Sequence, residues 1–403
     1  MSDFFQVGVV STFHRLGSQN LDRIEEELSW YAHERPIALI LPCLYSELEG
    51  EALKGIVRHL KDVKYVKEIV VGLALASAEE YQHARKYFSE LPQHTSIMWQ
   101  EGPRLSAVYQ AIEDAGLHVG QQGKGKGVWL AYGYILARQE FHTIALHDCD
   151  ILTYNRDLLA RLCYPITNPN LNYTFCKGFY SRITDRMHGR VTRLLFTPLI
   201  RSLQKIIGYH PLLVFLDSFR YALAGEFSMD VDMARITRIP GDWGLEVGML
   251  AEVYRNSALR RVCQIDISEN YDHKHQALSP EDEHKGLHKM SVDICKSIFR
   301  TLESEGVVFS AGFFSTLLAT YVRTAKDMLK RYEDDAAVNS LIFDRHAESR
   351  AVETFTHGIR AAAERITEDP LGPPLIASWD RVTSALPNIL DTIRQSVEED
   401  NQT

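Results

Sequence analysis

Short apolar runs alternate with longer segments of helical spacing over the first half of the chain. The predicted strands cover residues 36–43, 67–75 and 141–148, and the predicted helices between them cover residues 49–63 and 76–91. Such alternation is typical of a mostly parallel sheet with helices on both of its faces. We therefore predict an α/β fold with a Rossmann-like sheet.

The second half of the chain has a mixed pattern that becomes helical. The predicted elements are a strand at 172–183, helices at 189–209 and 242–257, and a late strand at 260–273. Helical patterns dominate beyond residue 281, which predicts a helical C-terminal region. The final segment "EEDNQT" is predicted to be a solvated tail.

These changes of pattern predict four regions. They are an N-terminal helical extension (1–35), an α/β region (36–170), a mixed region (171–280) and the helical C-terminal region (281–403).

The composition disfavours polyanionic partners. Of the 403 residues, 53 are acidic and 44 are basic, and the net charge is −9. An overall negative field does not attract nucleic acid or an anionic membrane. We therefore expect no nucleic-acid partner, and any anion site must be local.

The cysteines and the apolar runs predict a soluble, cytoplasmic protein. The six cysteines form no C-x-x-C pair, so we expect reduced thiols rather than a disulfide framework. No apolar run approaches the roughly 18 residues needed to span a bilayer. The start, "MSDFFQVGVVSTFHRLG", lacks the pattern of a signal peptide, so we expect no membrane insertion.

Two carboxylates follow the strand in "EFHTIALHDCDILTYNRD". Asp148 and Asp150 lie just beyond the apolar run, where an open α/β sheet binds its ligands. One carboxylate could face a ribose and the other a divalent cation, since Mg²⁺ and Mn²⁺ bind carboxylates together with diphosphate oxygens. Alone, the spacing also fits a solvated turn or a helix cap.

A glycine-rich loop precedes a helix in "GQQGKGKGVWLAYGYILARQ", residues 120–139. Its glycines permit close approach of a ligand to the backbone, and Lys124 and Lys126 add positive charge beside a helix N-terminus. The spacing is not that of a Walker loop. A flexible basic turn is the alternative interpretation.

An ordered series of motifs resembles a known family. The series is "LILPCLYSE", the G-K-G loop, "ALHDCDI", "KGFYSR", "GRVTRLLFTPLI", "LAGEFSM", "DWGLEVGML" and "DHKHQAL". Together, over about residues 36–280, these resemble the glucosyl-3-phosphoglycerate synthases, which are retaining glycosyltransferases of GT-A fold. They resemble the mannosylglycerate synthases more distantly.

The resemblance implies a donor site, a metal site and a catalytic pair. Asp150 and His273 would bind Mg²⁺ or Mn²⁺, and Glu246 and Asp150 would be catalytic. The residues implied to bind the donor are Pro42, Leu44, Glu47, Lys124, Asp148, Cys149, Gly225 and Glu226. The family pattern P-A-L-N-E-E is replaced here by Pro-Cys-Leu-Tyr-Ser-Glu, which leaves the nucleotide base open.

The resemblance also implies that residues 36–170 form a nucleotide-sugar-binding subdomain and that residues 171–280 form an acceptor-binding subdomain. Gly189, Arg190 and Thr192 match a G-R-V-T element that binds the phosphate and carboxylate of 3-phosphoglycerate, and His275 falls where the family has an asparagine in H-R-N. Arginine suits bidentate contact with an oxyanion. The histidine leaves both 3-phosphoglycerate and D-glycerate open as the acceptor.

The implied reaction is transfer of glucose from a nucleoside diphosphate glucose to the 2-hydroxyl of 3-phosphoglycerate by a homodimer. An enzyme that transfers mannose or glucose to D-glycerate is the first alternative. A nucleotidyltransferase is disfavoured, because its glycine-rich loop normally follows the first strand, where this chain has "PCLYSELEGE". A non-catalytic scaffold that binds sugar nucleotides is the remaining alternative.

Overall fold

The computed structural model describes residues 5–6, 8–16, 21–273, 278–279, 282, 285–372 and 375–402. The strands within these ranges are Ser11–Phe13 (β1), Ile37–Leu44 (β2), Val66–Ala74 (β3), His94–Trp99 (β4), Thr143–Leu146 (β5), Phe175–Tyr180 (β6), Phe227–Asp230 (β7) and Val262–Ser268 (β8).

The α-helices alternate with these strands and then continue beyond them. They are Leu21–Tyr31 (α1), Glu51–Leu60 (α2), Ala78–Phe88 (α3), Pro103–Asp114 (α4), Lys124–Arg138 (α5), Arg156–Thr167 (α6), Thr197–Ile207 (α7), Pro211–Asp217 (α8), Val231–Ile236 (α9), Leu245–Asn256 (α10), Gly286–Ser304 (α11), Ala311–Val338 (α12), Arg345–Glu368 (α13), Trp379–Ala385 (α14) and Ile389–Gln402 (α15). Over the described residues, no helix combines the length and the apolar character needed to cross a membrane.

The strands form one sheet in the order β1-β8-β6-β7-β5-β2-β3-β4. Every pairing is parallel except those of β7, which runs antiparallel to both β5 and β6. Alternate residues of β2 face opposite sides, so Ile40 joins the core beside α5 and Leu41 joins the core beside α2 and α6. The predicted α/β class and its mostly parallel, Rossmann-like sheet are confirmed.

The sheet is continuous across the predicted boundary at residue 170. Strand β1 pairs with β8, with Thr12 opposite Gln264, so the segment 1–35 contributes a strand as well as helix α1. The segment was predicted to be helical only, because three residues are too few to give a periodic signal. Strand β6, which belongs to the predicted region 171–280, lies between β8 and β7.

The end of the chain is a docked helix, so the prediction of a solvated tail is wrong. Helix α15 lies against strand β4 at the edge of the sheet. Asn401 Nδ2 donates to the carbonyl of Ile97 at 2.9 Å, and Asn401 Oδ1 accepts from the Ile97 N–H at 3.0 Å. The side-chain amide thereby pairs an exposed strand edge that would otherwise be open to another chain.

The C-terminal region also packs on helix α5. The rings of Trp129 and Trp379 stack with 4.3 Å between their centroids. Each indole N–H donates to a backbone carbonyl, that of Trp129 to Ala377 at 2.8 Å and that of Trp379 to Trp129 at 2.9 Å. This contact fixes the helix that begins at Lys124.

Candidate active site

A cavity of about 410 Å³ opens at the carboxyl ends of β2, β3 and β5. Ligands bind at this edge in open α/β sheets because the loops diverge there. The predicted site residues that line the cavity are Pro42, Leu44, Glu47, Lys124, Asp148, Cys149, Asp150 and His273. Trp243, which follows Asp242 in the D-W-G-L-E motif, lines it as well.

Lys124 joins two predicted carboxylates that are far apart in the chain. Its Nζ lies 2.6 Å from Asp148 Oδ1 and 3.2 Å from Glu246 Oε1. Burial alone would lower the pKa of Lys124, but the two carboxylates outweigh it and hold that pKa well above its ordinary value. Burial alone would raise the pKa of Asp148, but the charge and the hydrogen bond of Lys124 outweigh burial and lower that pKa. Both groups are therefore charged at neutral pH.

Gly225 allows the strand β7 segment to approach Asp148 closely. A Cβ atom at position 225 would lie 2.5 Å from Asp148 Oδ2, which is too short for any real contact. The space that a side chain would fill is thus taken by the carboxylate. Gly225 does not line the cavity itself but sets the position of a residue that does.

Glu226 is fully buried behind the cavity wall. Its two oxygens accept from Tyr180 at 2.8 Å and Tyr271 at 2.5 Å, and the two rings stack 3.7 Å apart. Burial and the nearby Asp148 raise the pKa of Glu226. Glu226 does not line the cavity, and its predicted contact with the donor stays a prediction. The structure instead uses Glu226 to hold two tyrosines.

Asp150 and His273 meet beside the Lys124 cluster. His273 Nδ1 lies 3.4 Å from Asp150 Oδ2, and a β-bridge joins Ile151 to His273. Asp150 Oδ1 is buried without a hydrogen-bond partner among the described residues. An imidazole and a carboxylate with an unsatisfied oxygen fit a divalent cation. No group of three or more His, Cys, Asp or Glu side chains placed for a metal occurs in the part of the chain described.

Lys177 is a buried residue near the site, and the sequence analysis gave it no role although it begins the "KGFYSR" motif. It lies on β6 opposite Phe227, its side chain is 1% exposed, and its Nζ has no hydrogen-bond partner among the residues described. Burial lowers the pKa of Lys177 to about 8, and the carboxylates of Glu246 and Glu226 oppose that shift. The signal in the sequence was a lysine inside an apolar strand, in "TFCKGFY".

The predicted acceptor element begins a π-helical turn, Val191–Phe196, that leads into α7. Such turns are frequent at functional sites. Gly189 has a φ of +73°, which favours glycine, and a Cβ there would lie 3.5 Å from the Tyr221 ring. Arg190 Nε donates to Glu348 Oε1 at 2.7 Å, and Thr192 Oγ1 is buried without a partner among the described residues. His275 lies outside the described residues.

A row of aromatic rings in contact connects the acceptor element with the cavity. Tyr221 lies beside Gly189, its ring centroid is 4.9 Å from that of Tyr180, and Tyr180 stacks on Tyr271. Tyr271 in turn makes an edge contact with His273 at 5.5 Å. The geometry therefore places the two predicted sites on either side of one aromatic row.

Comparison with curated proteins assigns the chain to a family. It is 45% identical over 401 residues to the glucosyl-3-phosphoglycerate synthase of Persephonella marina, a match that covers 100% of this chain and 99% of that protein. It is 39% identical over 399 residues to the enzyme of the same name from Methanococcoides burtonii, covering 98% and 97%. This chain belongs to the glucosyl-3-phosphoglycerate synthase family. No model of a protein family matches the sequence.

Solved structures of the synthase from Mycobacterium tuberculosis share the fold. One, bound to Mn²⁺, UDP-glucose and phosphoglyceric acid, superposes with a TM-score of 0.54 at 18% identity, covering 75% of this chain and 89% of that one. Another, bound to Mn²⁺, UDP and glucosyl-3-phosphoglycerate, gives a TM-score of 0.52 at 20% identity, covering 75% and 89%. At this identity the likeness concerns the fold.

Proposed function

We propose that this chain transfers glucose from a nucleoside diphosphate glucose to the 2-hydroxyl of 3-phosphoglycerate, with retention at the anomeric carbon. The observation that carries the proposal is that Lys124 and Asp148 line one cavity together with the Asp150–His273 pair, while Lys124 also holds Glu246. The reaction is the one for which the two full-length relatives are named.

The donor would lie along the cavity from the end of β2 to the D-C-D segment. Pro42, Leu44 and Glu47 offer a partly apolar wall for the nucleoside, and Cys149 adds a buried thiol between the two aspartates. Asp148, held by Lys124, would accept from the ribose. UDP-glucose is the first donor to test, because the Mycobacterium tuberculosis protein was solved with it.

Asp150 and His273 would hold Mg²⁺ or Mn²⁺, the ions bound in the Mycobacterium tuberculosis structures. The ion, when bound, would neutralise charge that develops on the departing diphosphate. Lys124 would add a fixed positive charge next to the same group, since its ammonium already lies between Asp148 and Glu246. Glu246 would then orient the sugar and support its positive character as the C1–O bond breaks.

The acceptor would bind at the G-R-V-T element, on the other side of the aromatic row. Arg190 would contact an oxyanion of the acceptor, and Thr192 Oγ1 would donate to it. Gly189 would supply backbone near Tyr221. His275, predicted to contact the acceptor, would replace an asparagine there, which is why D-glycerate has to be tested beside 3-phosphoglycerate.

We also propose a cytoplasmic location. Cys176 and Cys263 are aligned as neighbours across β6 and β8, and both are free thiols, as are the other four cysteines. Buried free cysteines are typical of proteins in a reducing compartment. The homodimer implied by the family resemblance stays a prediction.

The experiment is an assay of nucleoside diphosphate release together with product mass. Purified protein with Mg²⁺ or Mn²⁺ is given UDP-, GDP- or ADP-glucose or GDP-mannose, each with 3-phosphoglycerate or D-glycerate. We expect release with a glucose donor that requires 3-phosphoglycerate and is abolished by Asp150→Ala. Turnover with D-glycerate alone would make this chain a glycerate glycosyltransferase. Donor binding without turnover would favour the scaffold.

A further inference from the structure

Glu348 on helix α13 bonds two arginines of the predicted acceptor element. Its side chain is 6% exposed. Its Oε1 accepts from Arg190 Nε at 2.7 Å, and its Oε2 accepts from a terminal nitrogen of Arg193 at 3.0 Å. Glu348 comes from the helical C-terminal region, beyond the part of the chain that carries the motifs of the family.

Arg193, one of the two arginines bonded by Glu348, also fixes the backbone that leads into the acceptor element. Arg193 Nε donates to the His188 carbonyl at 2.7 Å, and its terminal nitrogen donates to the Met187 carbonyl at 3.2 Å. Nearby, the Ile342 N–H donates to the Asp185 carbonyl at 2.8 Å. The segment 185–190 is therefore held by Arg193, by the Ile342 backbone and, through Arg190, by Glu348.

Glu348 leaves the rest of the Arg190 guanidinium available. The carboxylate uses Nε, and the described residues offer no hydrogen bond to the two terminal nitrogens of Arg190, whose side chain is 35% exposed. A planar guanidinium that is fixed through one nitrogen keeps a defined orientation for an oxyanion at the others. A flexible arginine would lose rotamer entropy whenever it bound such a ligand.

The burial of this carboxylate is not explained by stability alone. The attraction within a buried ion pair contributes little more free energy than the removal of its charges from water costs. Apolar residues of the same volume often stabilise a protein equally well. The two arginines bonded to one carboxylate therefore suggest that Glu348 serves to orient their side chains. The neighbouring Thr192 Oγ1, buried without a partner in the described part of the chain, is a second polar group left for a ligand.

We propose that Glu348 is a positioning residue for the acceptor, which orients Arg190 toward the phosphate or carboxylate of 3-phosphoglycerate. This inference rests on the proposed function. It gives the C-terminal helices a part in acceptor recognition, because α13 delivers the carboxylate from outside the sheet. In chemical terms, Arg190 would recognise an oxyanion, and Glu348 would fix the orientation of Arg190 before the ligand binds.

The test compares Glu348→Gln with Glu252→Gln as a matched control. Glu252, on α10, is also buried and also bonds two arginines, Arg238 and Arg255, each at 3.3 Å. Loss of a buried carboxylate with two arginine partners is common to both variants. Only Glu348→Gln should raise the KM for 3-phosphoglycerate, by about 10-fold. The KM for the glucose donor should stay within about twofold in both.

A double variant shows whether Glu348 acts through Arg190. If it does, Glu348→Gln should add little to the loss of kcat/KM for 3-phosphoglycerate already caused by Arg190→Ala. Glu348→Asp, which keeps the charge but shortens the side chain, is the second variant if Glu348→Gln does not fold. It should raise the same KM.

The outcomes separate this inference from the proposed function. Wild-type transfer to 3-phosphoglycerate with an unchanged acceptor KM in the Glu348 variants would overturn the inference alone. Equal rises of the donor and acceptor KM values, or an equal effect in Glu252→Gln, would show a structural role and also overturn it. Absence of wild-type transfer to 3-phosphoglycerate would overturn the proposed function, and this inference with it.

Discussion

Lys124 Nζ lies 2.6 Å from Asp148 Oδ1, which ties the start of helix α5 to the end of strand β5. The same ammonium reaches Glu246 on α10, so one cation holds three elements around the cavity. Two carboxylates therefore share one ammonium group. Lys124 lowers the pKa of Asp148 and holds the two carboxylates close together beside the cavity.

Replacing Lys124 with Met should weaken donor binding more than it slows turnover. Without the ammonium, Asp148 and Glu246 would repel each other and the donor diphosphate would lose a positive partner. We expect kcat/KM for the donor to fall about 10- to 100-fold, mainly through KM. Initial rates at varied donor concentration measure this, and a fall in kcat with an unchanged KM would contradict it.

Replacing Asp150 with Ala should lower kcat more than the Lys124 variant does. The proposed cation would lose one of its two protein ligands where charge develops during the reaction. We expect kcat to fall by about 10²-fold or more. Metal binding to the wild type and the variant, followed by isothermal calorimetry, gives a readout that does not depend on activity. Equal metal affinity in the two proteins would rule out Asp150 as a ligand.

Replacing Gly225 with Ala should damage the site through Asp148. The new methyl group would lie 2.5 Å from Asp148 Oδ2, so the carboxylate must move. We expect the donor KM to rise at least about tenfold. Gly55→Ala is the matched control, because this helix glycine has open space around its Cβ and the change should stabilise the protein by about 0.5–1 kcal/mol. Equal donor KM values in the two variants would show that Gly225 does not set the position of a donor-binding Asp148.

Lys177 should make the stability of the protein depend on pH. Burial lowers its pKa from the ordinary 10.5 to about 8 in the folded chain. Between these values the unfolded chain binds more protons, so the contribution of Lys177 to stability rises as the pH increases from 8 to 10.5. The free energy of unfolding of the wild type, relative to that of Lys177→Met, should therefore increase over this range. A flat or falling difference in urea titrations would show that Lys177 is not a desolvated ammonium.

Much of the site could be predicted because its chemistry is local in sequence. The strand that precedes Asp148 and Asp150 and the glycine-rich loop before α5 each carry a recognisable pattern, and the structure brings them together at one sheet edge. The order of the strands could not be derived from pattern alone, since β7 is short and its antiparallel pairing depends on distant partners.

The residues that the sequence analysis missed act through contacts across the chain. Lys177 falls within the "KGFYSR" motif, but its nearness to Glu246 and Glu226 comes from packing, and Glu348 bonds Arg190 over 158 positions. The docking of the C-terminal end was missed for the same reason, because Asn401 pairs with Ile97 from 304 positions away. Periodicity identifies the elements, but it does not identify which of their polar groups meet.

The stacked pair of Trp129 and Trp379 should be essential for the stability of the fold. Both indoles are buried and hydrogen-bonded, so Trp379→Ala would leave a large cavity against α5. We expect a loss of about 3–5 kcal/mol in the free energy of unfolding. Trp30→Ala, at a residue that is 70% exposed, should change it by less than about 0.5 kcal/mol. Similar midpoints for the two variants in urea would contradict the packing.

The most direct test of the central claim is the structure of the reaction product. The purified protein is incubated with UDP-glucose, Mg²⁺ and 3-phosphoglycerate, and the isolated product is analysed by NMR and mass spectrometry. The account predicts glucosyl-3-phosphoglycerate, with an α-linked glucose on the 2-hydroxyl of the glycerate. A β-linked product would contradict retention. Release of free glucose, or no product with any glucose donor, would show that this chain does not catalyse the proposed transfer.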